Sequence, residues 1–379
     1  MDNTSTCSTK DETYWSQLAS SFVDKVIDEE YQLLELLGHG AYGCLFLGQS
    51  LKDNSYVAVK ILLKSKDLQQ LQIQQLEMDI QSQLKHPHLL ALHRVIQDDA
   101  YMYLIMELCD QGDLFDFVIK DQDVNYVRQE DQVKTWFSQI LDAVAYMHSQ
   151  GVYHRDLKLE NILLQQEDED DLCCKVADFG LATRERYSME FGCGSTSYLA
   201  PEHFDDGSDL VPYDASASDA WSLGILLLAF MFGRNPWQEA APSDPAYHEF
   251  SRNPGMLKEQ LFPELSLATL RWLQSALAPN HRPSVAALKE QFLAIDRLYV
   301  ADHEDTLAQV SIPAVAKHTD VSSYDSAFFS GGNAMSWSDM MDEEESKAEQ
   351  DHPIDISLEP FDEDTDMFVH SGEKESWWL

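Results

Sequence analysis

Gly38, Gly40 and Gly43 lie between two runs that read as strands, YQLLELL and CLFLG. A dinucleotide-binding fold would open a helix directly after such a triad, so this order excludes that fold and predicts a β-hairpin flap. A glycine triad alone is weak evidence, since ordinary turns carry one too, and its meaning depends on the motifs further along the chain. Without side chains there, backbone N–H groups can approach a nucleotide's phosphates closely. Leu37 and Leu45 would then flank its base, while His39 at the tip has no assigned task.

The residues after the flap continue as short β-like runs. YVAVKILL is a third strand, a polar helix-favouring stretch covers 68–85, and two further strands fall near 89–96 and 101–107. This order predicts a small antiparallel sheet carrying one helix. Past CDQGD the period changes, with Val133, Trp136, Phe137, Ile140, Leu141, Val144 and Met147 three and four apart, so a helical body comes next. It continues through 220–232 and 267–277 and ends near Leu298 or Tyr299. The fold class is therefore α+β and bilobal. The expected division is an N-terminal extension at 1–30, a sheet lobe at 31–106, a helical lobe at 107–299 and an acidic tail at 300–379. In the extension, Trp15, Leu18, Phe22 and Val26 have helical spacing, which suits a short leading helix. The longest apolar run, 220–233, falls short of the roughly 20 residues that cross a bilayer and reads as a buried helix.

Charge narrows the partners. The net charge is −40, which repels nucleic-acid phosphate and anionic membranes and attracts basic protein segments. Residues 301–379 hold 20 acidic and 3 basic side chains, a net −17, and this composition predicts disorder in isolation. Within it, SWSDMMDEEES and LEPFDEDTDMFVH mix acids with aromatics, as do peptides that fold onto a partner; a merely solvated tail is the alternative. Such a tail could also lie across the protein's own groove. The six cysteines have neither metal-ligand spacing nor a disulfide framework, and the N-terminus lacks a secretory signal's sections. An intracellular, cytoplasmic protein is expected, with nuclear entry left open because no basic cluster is visible.

The chemistry sits in three phrases. Lys60 ends an apolar strand, where an unpaired ammonium would cost several kcal/mol, so it requires an anionic partner. Glu77 on the following helix is the candidate, against the plainer alternative of a surface lysine and a solvated glutamate. HRDLKLEN contributes Asp156, Lys158 and Asn161, and DFG contributes Asp178. Asp156 would accept or orient a hydroxyl proton, Lys158 would steady a transferring phosphoryl group, and Asn161 with Asp178 would hold Mg²⁺, which prefers oxygen ligands. Both phrases in this order are not the pattern of a chance charge cluster.

From Tyr31 to about Tyr299 the chain resembles the eukaryotic protein kinases, and Lys158 resembles their serine/threonine class. The resemblance implies transfer of the γ-phosphate of ATP to protein Ser or Thr hydroxyls, with Mg²⁺. It implies that Lys60, held by Glu77, contacts the α- and β-phosphates, and that Ala58, Met106 and Leu163 line the adenine site. Glu107 and Cys109 would offer hinge backbone contacts. It also gives structural roles to Asp219 and to a pairing of Glu202 with Arg282. LALHRVIQDD, DFGLAT, YSMEFGCGS and GRNPW look most like fungal kinases that regulate nutrient responses and meiosis. The competing class is a scaffold without chemistry, which the intact Lys60, Glu77, Asp156, Asn161 and Asp178 oppose. A small-molecule kinase fits poorly with the complete DFG to APE segment.

The chain departs from the family pattern at several positions. Phe191 stands where an activating phosphothreonine is common, so Arg155 lacks its usual partner; Glu190, a phosphorylated Ser188, or packing of Phe191 would substitute. Gln81 replaces an apolar residue beneath the Lys60 and Glu77 pair, which predicts a loosely placed helix. Asp113 and Glu160 match acidic positions that read basic side chains before the target hydroxyl, but Ala229 replaces a supporting glutamate. The balance predicts a modest preference for basic residues. Ser195 is expected beside Asp156 and Lys158, favouring Ser or Thr. Cys193 is read as a packing residue rather than a redox-sensitive one.

Overall fold

Alternation along YVAVKILL decides how the first lobe is built. In a strand, successive side chains point to opposite faces, so Val57, Val59 and Ile61 share one face and Ala58, Lys60 and Leu62 the other. All six are buried, as befits a strand in the middle of a sheet covered on both sides. A computed structural model describes residue 18 and residues 20–40, 43–120, 127–168, 171–204 and 211–300 of the chain. Expectations for the residues before 18 and for the acidic tail lie outside the described residues.

The first lobe comprises β1 (Val26–Ile27), β2 (Tyr31–Gly40), β3 (Gly43–Ser50), β4 (Tyr56–Leu63), α1 (Leu68–Gln83), β5 (Leu92–Gln97) and β6 (Tyr101–Met106). The strands form an antiparallel sheet in the order β1-β2-β3-β4-β6-β5. The sheet therefore begins before Tyr31: Ile27 pairs with Tyr31, and Phe22 packs with Leu33, Phe46 and Tyr103 in the outer core. The other face carries Leu45, Ala58, Leu62, Leu104 and Met106, packed against Met78 of α1 and against Leu163 and Ala177 of the second lobe. One apolar layer thus joins the two lobes beside the cleft.

The second lobe is helical, as expected for the bilobal α+β class. Its helices are α2 (Leu114–Lys120), α3 (Glu130–Ser149), α4 (Ala215–Phe232), α5 (Pro245–Arg252), α6 (Leu267–Ala276) and α7 (Val285–Leu293). Eight side chains of α3 are buried, including all seven whose spacing marks the helix in the sequence. In α4 apolar residues run around the whole circumference and 15 residues are buried. Its length and composition would suit a membrane span, but it sits inside the lobe's core. Asp214 caps its start by accepting the Ser216 N–H, and Gly233 ends it in the left-handed region at φ 68°. Two small two-stranded antiparallel sheets lie in the same lobe, β7 (Ile162–Asp168) with β8 (Asp171–Val176), and β9 (Tyr187–Ser188) with β10 (Tyr213–Asp214).

Candidate active site

Strand β4 presents Lys60 toward α1, and Lys60 Nζ lies 2.9 Å from Glu77 Oε1 with both side chains nearly inaccessible. Burial pulls the lysine pKa down, but the carboxylates of Glu77 and Asp178 outweigh it and hold the ammonium above its ordinary value. Leu45, Lys60, Glu77, Gln81, Leu90, Met106, Asp178 and Phe179 enclose a small pocket with room for about one water. Gln81 makes a tie of its own. It is buried and donates from Nε2 to Leu90 O at 3.2 Å, tying the helix to the segment before β5.

The loop between α3 and β7 is organised by Asp219, a fully buried carboxylate on α4. It accepts the backbone N–H of His154 and of Arg155, each at 2.8 Å, and Nε2 of His148 at 2.8 Å. Burial would raise its pKa; the hydrogen bond and charge of His148 bring it below the usual carboxylate range. Arg155 itself adopts φ 68°, which this bonding holds in place. Asp156 comes next, and its Oδ1 accepts from Ser195 N and Ser195 Oγ, both at 2.9 Å, while Lys158 Nζ donates to Ser195 Oγ at 2.9 Å. Lys158 Nζ is 3.5 Å from Asp156 Oδ2. Asn161 Nδ2 donates to Asp156 O at 2.8 Å and Oδ2 at 3.2 Å, which leaves Asn161 Oδ1 buried without a partner among the described residues. Its backbone accepts from Ala177 N at 2.9 Å, so Asn161 stands beside the residue preceding Asp178. An orphaned amide oxygen next to a carboxylate is a donor set that fits a hard divalent cation.

The cleft's roof and floor are apolar. Ala58, Met106 and Leu163 are buried in one cluster with Leu45, and Cys109 packs against it, whereas Leu37 is 41% exposed. Glu107 N donates to Ala91 O, and the backbone of Cys109 has no partner among the described residues. The flap is a β2-β3 hairpin, with Gly38 opposite Leu45 and Gly40 opposite Gly43. Gly43 has a structural reason of its own, because a Cβ there would lie 2.1 Å from Ile61 O.

Of the two acidic positions expected to read substrate, Asp113 begins a helix. Its carboxylate is 1% exposed and accepts the Asp116 N–H at 2.8 Å at the start of α2, and burial pushes its pKa up to about 7. In this structure it is a helix cap. Glu160 differs: its Oε2 is buried with no partner among the described residues, and burial raises its pKa. Arg155 Nη1 meets Glu190 Oε2 at 2.5 Å and Ser188 Oγ at 3.5 Å, and Ser188 is buried. Phe191 packs on Tyr213, with ring centroids 5.4 Å apart.

Residues 31–293 match the protein kinase domain family. The chain belongs to that family. Among similar proteins are the serine/threonine-protein kinase ksp1 of Schizosaccharomyces pombe, 36% identical over 72% of this chain and 58% of that protein, and the negative regulator of sexual conjugation and meiosis of the same yeast, 33% identical over 62% and 53%. The serine/threonine-protein kinase PLK4 of Xenopus tropicalis is 36% identical over 55% of this chain and 21% of its own length. The chain spans little more than half the length of the two yeast proteins. Members of the kinase family use ATP and typically a divalent metal, and kinases of this kind act on protein substrates.

The kinase domain contains supporting residues that lie outside its sequence motifs. Lys175 is buried on β8 and pairs with Glu107 Oε1 at 2.9 Å. Its signal is the one that marks Lys60, a lysine inside an apolar strand. His148 and His203 carry no such signal. His203 accepts the Gly192 N–H at 3.2 Å on Nδ1 and contacts Ser218 Oγ through Nε2, and burial pushes its pKa down to about 4, so the ring is neutral.

Proposed function

We propose that this chain is an ATP-dependent protein serine/threonine kinase. The observation that carries the reading is the convergence on one cleft of Lys60 paired with Glu77, Asp156 bonded to Ser195 and Asn161, and an unpartnered Asn161 Oδ1 beside the Asp178 segment. In this reading the adenine lies between Leu37, Leu45 and Ala58 above and Leu163 below, against the backbone of Glu107 and Cys109, with Met106 behind it. Gly38, Gly40 and Gly43 let the flap close over the phosphates. Lys60 contacts the α- and β-phosphates, and Glu77 keeps that ammonium aimed and charged. Asp156 accepts or orients the proton of the substrate hydroxyl, which takes the place of the Ser195 hydroxyl at its carboxylate. Lys158, already bonded to Ser195, steadies the transferring phosphoryl group. Asn161 Oδ1 and Asp178 would hold Mg²⁺, which neutralises phosphate charge when bound.

Glu160 supports a modest preference for basic residues before the hydroxyl, because its unpaired buried oxygen would gain a charge-assisted hydrogen bond from an arginine or lysine. An acidic or proline-directed preference on a peptide array would sink that part. A cytoplasmic signalling role akin to those of the fungal relatives, and a tail at 300–379 that binds a partner or the kinase itself, complete the reading.

The test is phosphate transfer from ATP-Mg²⁺ to a degenerate Ser/Thr peptide library by the full chain, by Asp156→Asn and by a variant ending at Tyr299. Transfer that disappears in Asp156→Asn is expected, and a faster rate in the shortened variant would make the tail an inhibitor. Absence of transfer from all three, with ATP still bound, would put the scaffold reading first.

A further inference from the structure

Two neighbouring residues of the catalytic loop hold the two ends of one short segment. Arg155 holds Glu190, and Asp156 holds Ser195. Between them Gly194 passes so close that a Cβ would lie 2.6 Å from Arg155 O, at φ 114°, where only glycine fits readily. Gly192 is bonded to His203, and Cys193 Sγ contacts Glu190 O at 3.1 Å. Upstream, β9 pairs with β10, and Arg186 bonds to Asp214 through both Nε and Nη2. Arg155 is the charge at the centre of this arrangement. Its side chain is only 8% exposed, its Nε is bonded to Leu181 O at 2.6 Å, and its sole carboxylate contact among the described residues is Glu190, which is itself 72% exposed. A buried guanidinium stripped of its counter-charge is strongly disfavoured. The chain therefore carries, two residues past the buried Ser188 hydroxyl, the negative charge that fixes this segment.

We infer that Glu190 is a positioning residue: through Arg155 it holds residues 186–195 in the substrate-receiving arrangement, so the kinase needs no phosphate on that segment. The inference rests on the kinase reading for its activity arm only. Ser188 is an unsuitable phosphate acceptor in this state, since it is 3% exposed and its hydroxyl already accepts the Glu190 N–H at 3.1 Å.

The experiment uses the full chain treated with a broad-specificity phosphatase and shown by intact mass to carry no phosphate before and after a short assay. The unphosphorylated protein is expected to transfer phosphate to a Ser/Thr peptide within about threefold of the untreated rate. Glu190→Gln should lower kcat about tenfold or more with KM for ATP changed less than threefold, because Glu190 contacts Arg155 and does not line the pocket around Lys60 and Glu77. Glu190→Asp should recover part of the loss, and Ser188→Ala should lose less than Glu190→Gln. In an Arg155→Met background, Glu190→Gln should add nothing further. A phosphate-free protein that is inactive until phosphate is restored would overturn the inference, as would a Glu190→Gln variant with wild-type kcat. Amide hydrogen exchange decides it independently of catalysis: amides at 187–198 should exchange at least tenfold faster in Glu190→Gln while the helices of the second lobe are unchanged. If no form transfers phosphate, the kinase reading fails, yet unchanged exchange would still overturn the role of Glu190 and faster exchange would sustain it.

Discussion

At the scale of single residues, the site is a set of buried charges whose neighbours offset the cost of burial. Lys60 shows this most clearly, since burial pulls its pKa down and Glu77 with Asp178 outweighs that. Glu77→Gln removes the nearer carboxylate and leaves the burial, so the Lys60 pKa should fall and the ATP-dependent kcat/KM should drop about ten- to hundredfold. NMR titration of the lysine and steady-state kinetics check the two parts; an unchanged lysine pKa would refute the assignment. Asp113 gives the opposite case, a carboxylate held near neutrality with a pKa of about 7 by desolvation. Its unfolded value is about 3.9, so the folded state keeps the proton longer and stability declines as pH rises from about 4 to 7. Asn caps a helix as well as Asp but does not titrate. Asp113→Asn should therefore gain melting temperature over the wild type at pH 8 relative to pH 5, measured by thermal unfolding at both. Lys60 and Glu77 are legible in the sequence because a lysine inside an apolar strand is a visible anomaly. The capping role of Asp113, the bond from Gln81 to Leu90 and the grip of His148 on Asp219 are not, because each depends on a tertiary neighbour and leaves no local pattern.

At the scale of elements, legibility tracks periodicity. Strand β4 and helix α3 announce themselves through twofold and 3.6-fold repeats of apolar residues, and both form where those repeats fall. Helix α1 has only a sparse apolar stripe; Ile73 and Leu76 are exposed while Met78 and Ile80 are buried, and polar ties such as Gln81 to Leu90 supplement the packing. The two-residue strands β1, β9 and β10 carry no readable repeat, being products of pairing rather than of local preference. The flap lies between these cases. Its hairpin is evident from the glycines, but the reason for Gly43 is the carbonyl of Ile61 on the neighbouring strand rather than a phosphate alone. Gly43→Ala must push β3 away from β4, and overpacking of that kind costs about 1–3 kcal/mol. A loss of that size should be seen in denaturant unfolding without any nucleotide present. An alanine variant as stable as the wild type, but with weaker ATP binding, would return Gly43 to a purely phosphate-directed role.

At the scale of the whole molecule, charge is the property no single element contains. The chain carries −40, of which residues 301–379 carry −17, so the remaining 300 residues carry −23. Such a field draws cationic peptides toward the protein over distances that salt shortens, since the screening length falls from roughly 14 Å at about 0.05 M to about 4 Å at about 0.5 M. The contact proposed at Glu160 would act only after arrival, at a range that salt hardly alters. The two contributions can thus be separated by ionic strength. For a peptide with several basic residues before its serine, kcat/KM should fall about tenfold across that salt range, while for a neutral peptide it should change about twofold or less. Removing residues 300–379 takes away the tail's share of the charge, so the salt dependence for the basic peptide should become shallower. A slope indifferent to the tail would mean that selection rests on the contact at Glu160 and its neighbours, and that the tail's charge is turned toward some other partner.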